Sequence, residues 1–221
     1  MLLLRVCPGC RGAGSERRRG RWNGGACDRC LSRASAAGAV EPVVALDSVE
    51  ALFLYDDVVR RIVLSAKNRG RRDVLQQLGL LLAERAAAMA SGVVDPSTAS
   101  FDLVTWVPAS RAGKRRRGFD QGAVLSRVVA DRLGVKSRRL LLRRRGEAQA
   151  GRGRVDRIGG PQVRARLRCP PRVLLIDDVI TTGASMSVSA QALRRAGAHS
   201  VHGLAVSWAA PAYQPSVHRA S

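Results

Sequence analysis

The sequence predicts an α/β fold in which a parallel β-sheet is flanked by helices, with a small N-terminal metal-binding segment. Residues 173–176 are four consecutive apolar side chains, a run typical of a strand buried on both faces of a parallel sheet. Short apolar segments alternate along the chain with segments of helical periodicity, and this order builds parallel sheets. Two Cys-x-x-Cys pairs precede all of these segments.

We expect three parts in the 221 residues. Residues 1–35 form the cysteine-rich segment, residues 45–210 form the α/β domain, and residues 211–221 form a flexible tail. Residues 32–44 are small and include Gly and Ala, so they are predicted to be a linker.

The first half of the predicted domain contains one strand and two helices. Residues 49–55 are strand-like, and residues 56–65 carry apolar residues at helical spacing and lead into Lys67. Residues 73–90 begin with an acidic N-cap, Asp73, and carry leucines on one face, which predicts a helix packed on the core.

The second half continues the alternation. Pro108 ends the strand that begins at residue 102. The predicted strands are residues 102–107, 135–142, 173–176 and 201–208, and the predicted helices are residues 121–133 and 187–196. Residues 147–162 are polar and Gly-rich without periodicity, which is typical of a lid over an active site.

The formal net charge is +21, and only three of the 38 basic residues are lysine. Such an arginine surplus can reflect a GC-rich coding background, or it can indicate a polyanionic partner such as nucleic acid or a multiply phosphorylated substrate. Aromatic residues make up 4 %, so few stacking platforms exist for single-stranded nucleic acid. Charge alone leaves both interpretations open.

No apolar run approaches the roughly 20 residues that a membrane-spanning helix needs. The apolar start of the chain is far too short for the core of a signal peptide. We therefore expect a soluble, cytoplasmic protein without a membrane span.

The four N-terminal cysteines predict a structural zinc site. Cys7 and Cys10 form one Cys-x-x-Cys pair, Cys27 and Cys30 form another, and the sixteen residues between the pairs match the spacing of a four-thiolate zinc site. Two disulfides are the alternative, which the lack of a secretory signal disfavours, and a redox pair would need only one such motif. Cys169 has no predicted partner.

A Gly- and Arg-rich loop follows the strand at residues 102–107. It carries Arg111, Lys114 and Arg117, and open α/β sheets bind ligands at this end of their strands. Guanidinium groups bind pyrophosphate through paired hydrogen bonds, so the loop is suited to that anion. A solvated basic loop is the alternative.

The segment around residue 177 predicts an anion site. Asp177 and Asp178 are placed at the end of a buried strand, and the turn that follows precedes a helix. The free N–H groups and positive dipole at a helix start attract anions, and hydroxyl side chains add donors. The residues of this turn are Thr181, Thr182, Gly183, Ala184 and Ser185.

The two acids restrict the class of ligand. Two carboxylates beside a phosphate repel it unless they face hydroxyl groups or a metal on the same molecule, and a phosphorylated sugar meets this condition. A nucleotide triphosphate of the kind that P-loop proteins hold is excluded because the chain has no Gly-x-x-x-x-Gly-Lys-Ser/Thr loop. A receiver domain is excluded because such a domain has its acidic pair near the start of the fold, whereas few residues follow Asp177 and Asp178 in this chain.

Residues 173–185 closely resemble the phosphoribosyl pyrophosphate (PRPP) signature of type I phosphoribosyltransferases. The resemblance implies that Asp177 and Asp178 hold the ribose hydroxyls of PRPP and that residues 181–185 cradle its 5′-phosphate. It also implies Mg²⁺ bridging the pyrophosphate and the ribose hydroxyls.

The chain as a whole resembles the ComF family, which combines an N-terminal zinc knuckle with a phosphoribosyltransferase-like domain. The resemblance rests on the four cysteines, Lys67 with Gly70, Val107 with Pro108, residues 117–121, Gln149 with Arg154 or Arg157, and residues 177–185. It adds Lys67 to the implied PRPP-binding residues, and it implies DNA or a competence helicase as a partner in DNA uptake. The family usually has Asn at the position of Asp120 and Thr at that of Gly146.

Two functional hypotheses follow. The first is a phosphoribosyltransferase in which Asp177 and Asp178 position PRPP while Arg117, with Arg111 or Lys114, stabilises departing pyrophosphate as a nucleobase attacks. The second is a non-catalytic nucleic-acid accessory protein of DNA uptake, or a regulator that senses PRPP.

Overall fold

The computed structural model describes residues 6–12, 25–69, 71–91, 101–109, 115, 118–143 and 162–210. The predicted lid, the predicted tail, and the loop residues Arg111, Lys114 and Arg117 lie outside these ranges, apart from Gln162 at the end of the lid.

Eight strands and five helices are described. The strands are β1 (Ala36–Ala39), β2 (Ser48–Leu54), β3 (Leu103–Trp106), β4 (Lys136–Ser137), β5 (Leu141–Arg143), β6 (Val163–Ala165), β7 (Arg172–Ile180) and β8 (Ser200–Trp208). The helices are α1 (Asp28–Arg33), α2 (Asp57–Arg69), α3 (Arg72–Ser91), α4 (Gln121–Leu133) and α5 (Ala184–Arg195).

Six strands form the central sheet in the order β1-β2-β8-β7-β3-β4. All neighbours are parallel except β1, which pairs antiparallel with β2 at the edge. This confirms the predicted fold class, a mostly parallel sheet flanked by helices.

The sequence predicted that residues 32–44 are a linker, but in the structure they include a strand. Ala36–Ala39 is the edge strand β1, with Ala36 opposite Phe53 and Ala39 opposite Glu50. Four small residues carry little periodic signal, and their pairing depends on the exposed edge of β2.

Apolar side chains fill both faces of the sheet. On one face α2, α3 and α4 cover a core that includes Leu82, Leu125 and Ile176. On the other face α5 covers a second core, which includes Leu175 and Leu193. Burial on both faces explains why β7 is apolar without alternation.

The strand predicted at residues 135–142 is two short strands in different sheets. β4 extends the central sheet beside β3, whereas β5 pairs antiparallel with β6 in a separate two-stranded sheet. The pairing of β5 with β6 brings the two ends of the intervening segment together.

Helix ends also differ from prediction by a few residues. α2 continues to Arg69, which places Lys67 on the helix rather than after it. α5 begins at Ala184, so Ala184 and Ser185 belong to its first turn. None of the described helices is long and apolar enough to cross a membrane.

The connections after β3 and β7 diverge. β3 leads through α4, on one face, to β4, whereas β7 leads through α5, on the opposite face, to β8 on its other side. Ligands of open α/β sheets bind outside the carboxyl ends of strands where the strand order reverses in this way. The fold therefore places a crevice between the ends of β3 and β7.

Candidate ligand site at the carboxyl edge of the sheet

The two acids lie inside a strand rather than after it, which corrects the predicted strand end. β7 pairs with β8 through Ile180, but its pairing with β3 ends at Ile176. Asp177 and Asp178 thus have a neighbouring strand on one side only. On the other side they face a cavity of about 220 Å³, which we call the acid crevice. Its lining is Lys67, Val107, Pro108, Ala109, Asp120, Gln121, Gly122, Arg143, Asp177, Asp178, Val179 and Ser185.

Among the described residues, Lys67 forms the one ion pair with the two acids. Its Nζ lies 3.0 Å from Asp178 Oδ2, and the two side chains are 22 % and 24 % exposed. This pair ties α2 to β7 and leaves part of both groups accessible to a ligand.

Asp177 is held in an environment that disfavours its charge. Burial is the largest cause that raises its pKa well above the ordinary value, and the neighbouring Asp178 carboxylate raises it further. The Asp178 N–H, which donates to Asp177 Oδ1 at 2.8 Å, and the charge of Lys67 act in the opposite direction. A cation or a hydroxyl donor in the crevice would favour the charged form.

The turn after β7 forms a second, smaller cavity of about 60 Å³. Its lining is Asp177, Val179, Ile180, Thr181, Thr182, Gly183, Ala184, Ser185 and Met186. Because Asp177, Val179 and Ser185 also line the acid crevice, the two cavities adjoin. The first N–H groups of α5 have no partner inside the helix, so the turn offers donors to an anion.

Gly183 is required at this turn for two reasons. It is the N-cap of α5 with φ +72°, in the left-handed region that favours glycine. A Cβ at this position would also lie 2.8 Å from Val43 Cγ2. The segment after β1 therefore packs directly against the turn.

The opposite wall of the acid crevice is the start of α4. Gly122 packs against the indole of Trp106, since a Cβ there would lie 2.8 Å from the indole Cδ1. This close contact places Asp120 and Gln121 beside the end of β3. Asp120 is the N-cap residue, but its side chain makes no capping hydrogen bond and its carboxylate lines the crevice.

The structure brings most of the predicted residues together. Lys67, Asp177, Asp178 and the turn residues 181–185 line the two adjoining cavities. Arg143 lines the acid crevice from β5 and was not among the predicted site residues. Its only sequence signal was membership of an arginine cluster, which does not show which arginine faces inward.

The four cysteines converge on one point. The Sγ atoms of Cys7 and Cys30 are 3.8 Å apart, as are those of Cys10 and Cys27, and all four lie within 4.8 Å of one another. Zn–S bonds of about 2.3 Å give a tetrahedron with edges of about 3.8 Å, so the cluster fits a zinc ion. Four protein ligands leave no open position, which suits a structural role.

The thiols differ in their acidity. Burial would raise the pKa of Cys7, but N–H groups of Cys10, Cys27 and Gly9 lower it to about 7. Burial, and then the neighbouring thiols, raise the pKa of Cys30. Zinc binds thiolates, so it would displace the remaining protons.

The cysteine cluster is docked on α2 and α3. The Gln77 amide accepts from the Ala26 N–H at 2.7 Å and donates to the Ala26 carbonyl at 2.9 Å. Arg61 Nε donates to the Gly9 carbonyl at 2.8 Å. Cys7, Ala26 and Cys30 also join the core beneath these helices. The cluster is therefore continuous with the core on the side of the sheet that α2, the helix of Lys67, covers.

These features define an α/β protein with an acidic crevice, and beside it a turn at a helix start, at the switch point of a mostly parallel sheet. No protein-family model matches the sequence, and no curated protein matches it.

Several solved structures are similar. Glutamine PRPP amidotransferase from B. subtilis has a TM-score of 0.42 and 18 % identity. Adenine phosphoribosyltransferase from Leishmania tarentolae has a TM-score of 0.39 and 16 % identity over 65 % of this chain and 74 % of that chain. Purine phosphoribosyltransferase from Pyrococcus horikoshii has a TM-score of 0.37 and 13 % identity over 61 % and 79 %.

The fraction of each chain that the structural match covers differs among these proteins. The match to the B. subtilis enzyme covers 65 % of this chain but 30 % of that chain. The match to an allosteric regulatory enzyme of purine biosynthesis, with a TM-score of 0.41 and 21 % identity, covers 60 % and 25 %. The chain thus spans less than a third of these two proteins.

Proposed function

We propose that the protein binds PRPP with Mg²⁺ and transfers its phosphoribosyl group to a nucleobase-like acceptor with release of pyrophosphate. The observation that carries this proposal is the adjoining of the acid crevice and the turn, which share Asp177 and Ser185. A ligand with hydroxyls at one end and a phosphate at the other matches this arrangement of acceptors and donors.

Each group has a distinct role in the proposal. Asp177 and Asp178 hold the ribose hydroxyls, residues 181–185 hold the 5′-phosphate, and Lys67 keeps the crevice from repelling an anion. Mg²⁺ is commonly held by one or two carboxylates together with substrate phosphates, so these two acids fit it. It would neutralise charge on the pyrophosphate. Arg111, Lys114 and Arg117 would bind the leaving group.

We further propose that the protein is of the ComF type and acts in the cytoplasm. In this proposal residues 1–35 form a zinc knuckle that supports the domain at residues 45–210. The docking of Ala26 on Gln77 supports such a structural role for zinc.

Ligand binding tests the proposal directly. PRPP with Mg²⁺ should raise the melting temperature, because a ligand that binds only the folded state stabilises it. The Asp177→Asn, Asp178→Asn double variant should lose this shift, and Asp131→Asn, at an exposed position on α4, should keep it. A wild-type protein that PRPP does not stabilise would refute PRPP binding.

Turnover is tested separately. Pyrophosphate should appear when PRPP and a nucleobase are supplied together, and Arg117→Ala should slow its release without abolishing PRPP binding. PRPP binding without pyrophosphate release from any nucleobase would instead favour a PRPP-sensing regulator.

A second candidate is a nucleic-acid accessory protein, favoured by a groove of about 520 Å³ on the α5 face. Exposed Arg166, Arg168 and Arg195 line it, and they form no ion pair within the described ranges. Binding to single-stranded DNA, or to a complex of DNA with a competence helicase, should then weaken steeply with salt. Reversing the three charges should reduce that salt dependence. If DNA affinity is unchanged by these reversals, the groove is not the DNA site.

A further inference from the structure

A third cavity lies on the side of the turn away from β3. Its volume is about 300 Å³, within the range of small-molecule sites. Its lining is Glu41, Pro42, Val43, Ile180, Thr181, Thr182, Gly183, Trp208 and Ala209, and we call it the indole crevice. We propose that it binds the planar heterocyclic ring of the acceptor, with a preference for a ring that carries adjacent N–H and NH₂ donors, as guanine does. This inference rests on the proposed function.

The indole crevice is continuous with the anion-binding turn. Thr181, Thr182 and Gly183 line both cavities, and Val43 packs on Gly183. A group bound beside Trp208 therefore lies next to a phosphate held in the turn. A nucleotide has this arrangement of ring and phosphate within one molecule.

Trp208 is well placed to stack on a ring. Two hydrogen bonds fix its backbone at the end of β8. The Tyr55 N–H donates to the Trp208 carbonyl at 2.8 Å, and the Ala209 N–H donates to the Ile180 carbonyl at 2.8 Å. Its side chain is half-buried and packs on the same apolar core as Val43. A fixed, partly open indole face stacks on heterocycles at low cost in conformational entropy.

Glu41 supplies the polar recognition. It is exposed, and among the described residues its carboxylate makes no ion pair or hydrogen bond, although the chain carries 38 basic residues. A carboxylate accepts two parallel hydrogen bonds, so it matches a ring edge with two adjacent donors. Rings that present a carbonyl there would leave the carboxylate facing an acceptor.

The indole crevice lies on the side from which the acceptor ring would attack the anomeric carbon of PRPP. The acid crevice is lined by residues 107–109 on the β3 side, and in the sequence the loop that would hold pyrophosphate follows these residues directly. In an in-line displacement the nucleophile enters opposite the leaving group, which here is the β8 side. The ring nitrogen lone pair forms the new bond to the anomeric carbon, the bond to pyrophosphate breaks with its electron pair, and the ring proton passes to water.

Titration calorimetry with product-like ligands tests the inference. Wild-type protein should bind GMP about tenfold or more tightly than ribose 5-phosphate, because stacking adds to phosphate binding. Trp208→Ala should remove this advantage while leaving PRPP affinity within about twofold. Glu41→Gln should reduce the preference for GMP over IMP, which lacks the amino group. Leu167→Ala, a change at an exposed apolar side chain outside the crevice, is the matched control.

The outcomes separate this inference from the proposed function. Wild-type protein that fails to bind PRPP refutes the function, and the inference with it. Wild-type protein that binds PRPP but binds GMP no better than ribose 5-phosphate, or a Trp208→Ala variant with unchanged GMP affinity, overturns the inference alone. If Trp208→Ala does not fold, Trp208→Leu, which keeps apolar bulk but has no ring to stack, replaces it in the same comparison, and Glu41→Gln tests the ring-edge preference separately.

Discussion

Lys67 Nζ lies 3.0 Å from Asp178 Oδ2, and this contact joins the helix beneath the cysteine cluster to the strand that carries both acids. The same helix donates from Arg61 to the Gly9 carbonyl near its other end. One helix therefore contacts both the cysteine cluster and the acid crevice.

Replacement of Lys67 should weaken anion binding. Lys67→Met keeps the aliphatic stem but removes a charge-assisted contact worth about 1.5–3 kcal/mol, so PRPP affinity should fall by about tenfold or more. Arg60→Met, at an exposed position on the same helix, should have little effect. Equal PRPP affinity of Lys67→Met and wild type, measured by calorimetry, would place the ligand elsewhere.

The raised pKa of Asp177 predicts a pH-dependent effect of Asp177→Asn. The folded state holds this proton to a higher pH than the unfolded chain, whose ordinary pKa is 3.8, so this group destabilises the fold increasingly as pH rises through its raised pKa. The amide oxygen of asparagine can still accept from the Asp178 N–H. The variant should therefore gain melting temperature relative to wild type at neutral pH and lose that gain near pH 4. A melting-temperature difference between Asp177→Asn and wild type that stays constant with pH would contradict the raised pKa of Asp177.

Gly183→Ala should destabilise the fold more than Gly134→Ala. Both glycines have a positive φ, +72° and +69°, which costs alanine about 1–2 kcal/mol. Only at Gly183 does a Cβ also meet a neighbour, Val43, so overpacking adds about 1–3 kcal/mol there. Val43→Ala should rescue part of the loss in urea unfolding. Equal losses for the two variants would mean that the segment carrying Val43 does not press on the turn.

Gln77→Ala should loosen the cysteine cluster. The change leaves the buried Ala26 N–H without its partner, which costs about 1–3 kcal/mol. Zinc should dissociate faster into a colorimetric chelator, and the melting temperature should fall. Gln76→Ala, at the adjacent exposed position, should match wild type. Zinc release at the wild-type rate from Gln77→Ala would show that docking on α3 does not hold the metal.

Some of the site could be predicted because its signals are local. The run at residues 173–185 encodes a buried strand, two acids and a helix start within thirteen residues, and the cysteine spacing needs no long-range contact to indicate zinc. Arg143, Glu41 and Trp208 could not be predicted. Each reaches its cavity through strand pairing or packing between distant segments.

The sequence by itself determined the α/β class, the strand, acidic pair and turn at residues 173–185, and the cysteine cluster, because periodicity, glycine conformation and thiol spacing act between near neighbours. Only the tertiary structure decided that β7 extends beyond its pairing with β3, so that its acids line a crevice, and that Lys67 contacts Asp178. It also decided that residues expected to be a linker form an edge strand and pack on Gly183. Those outcomes depend on strand register and close packing across the sheet, which no short stretch of sequence encodes.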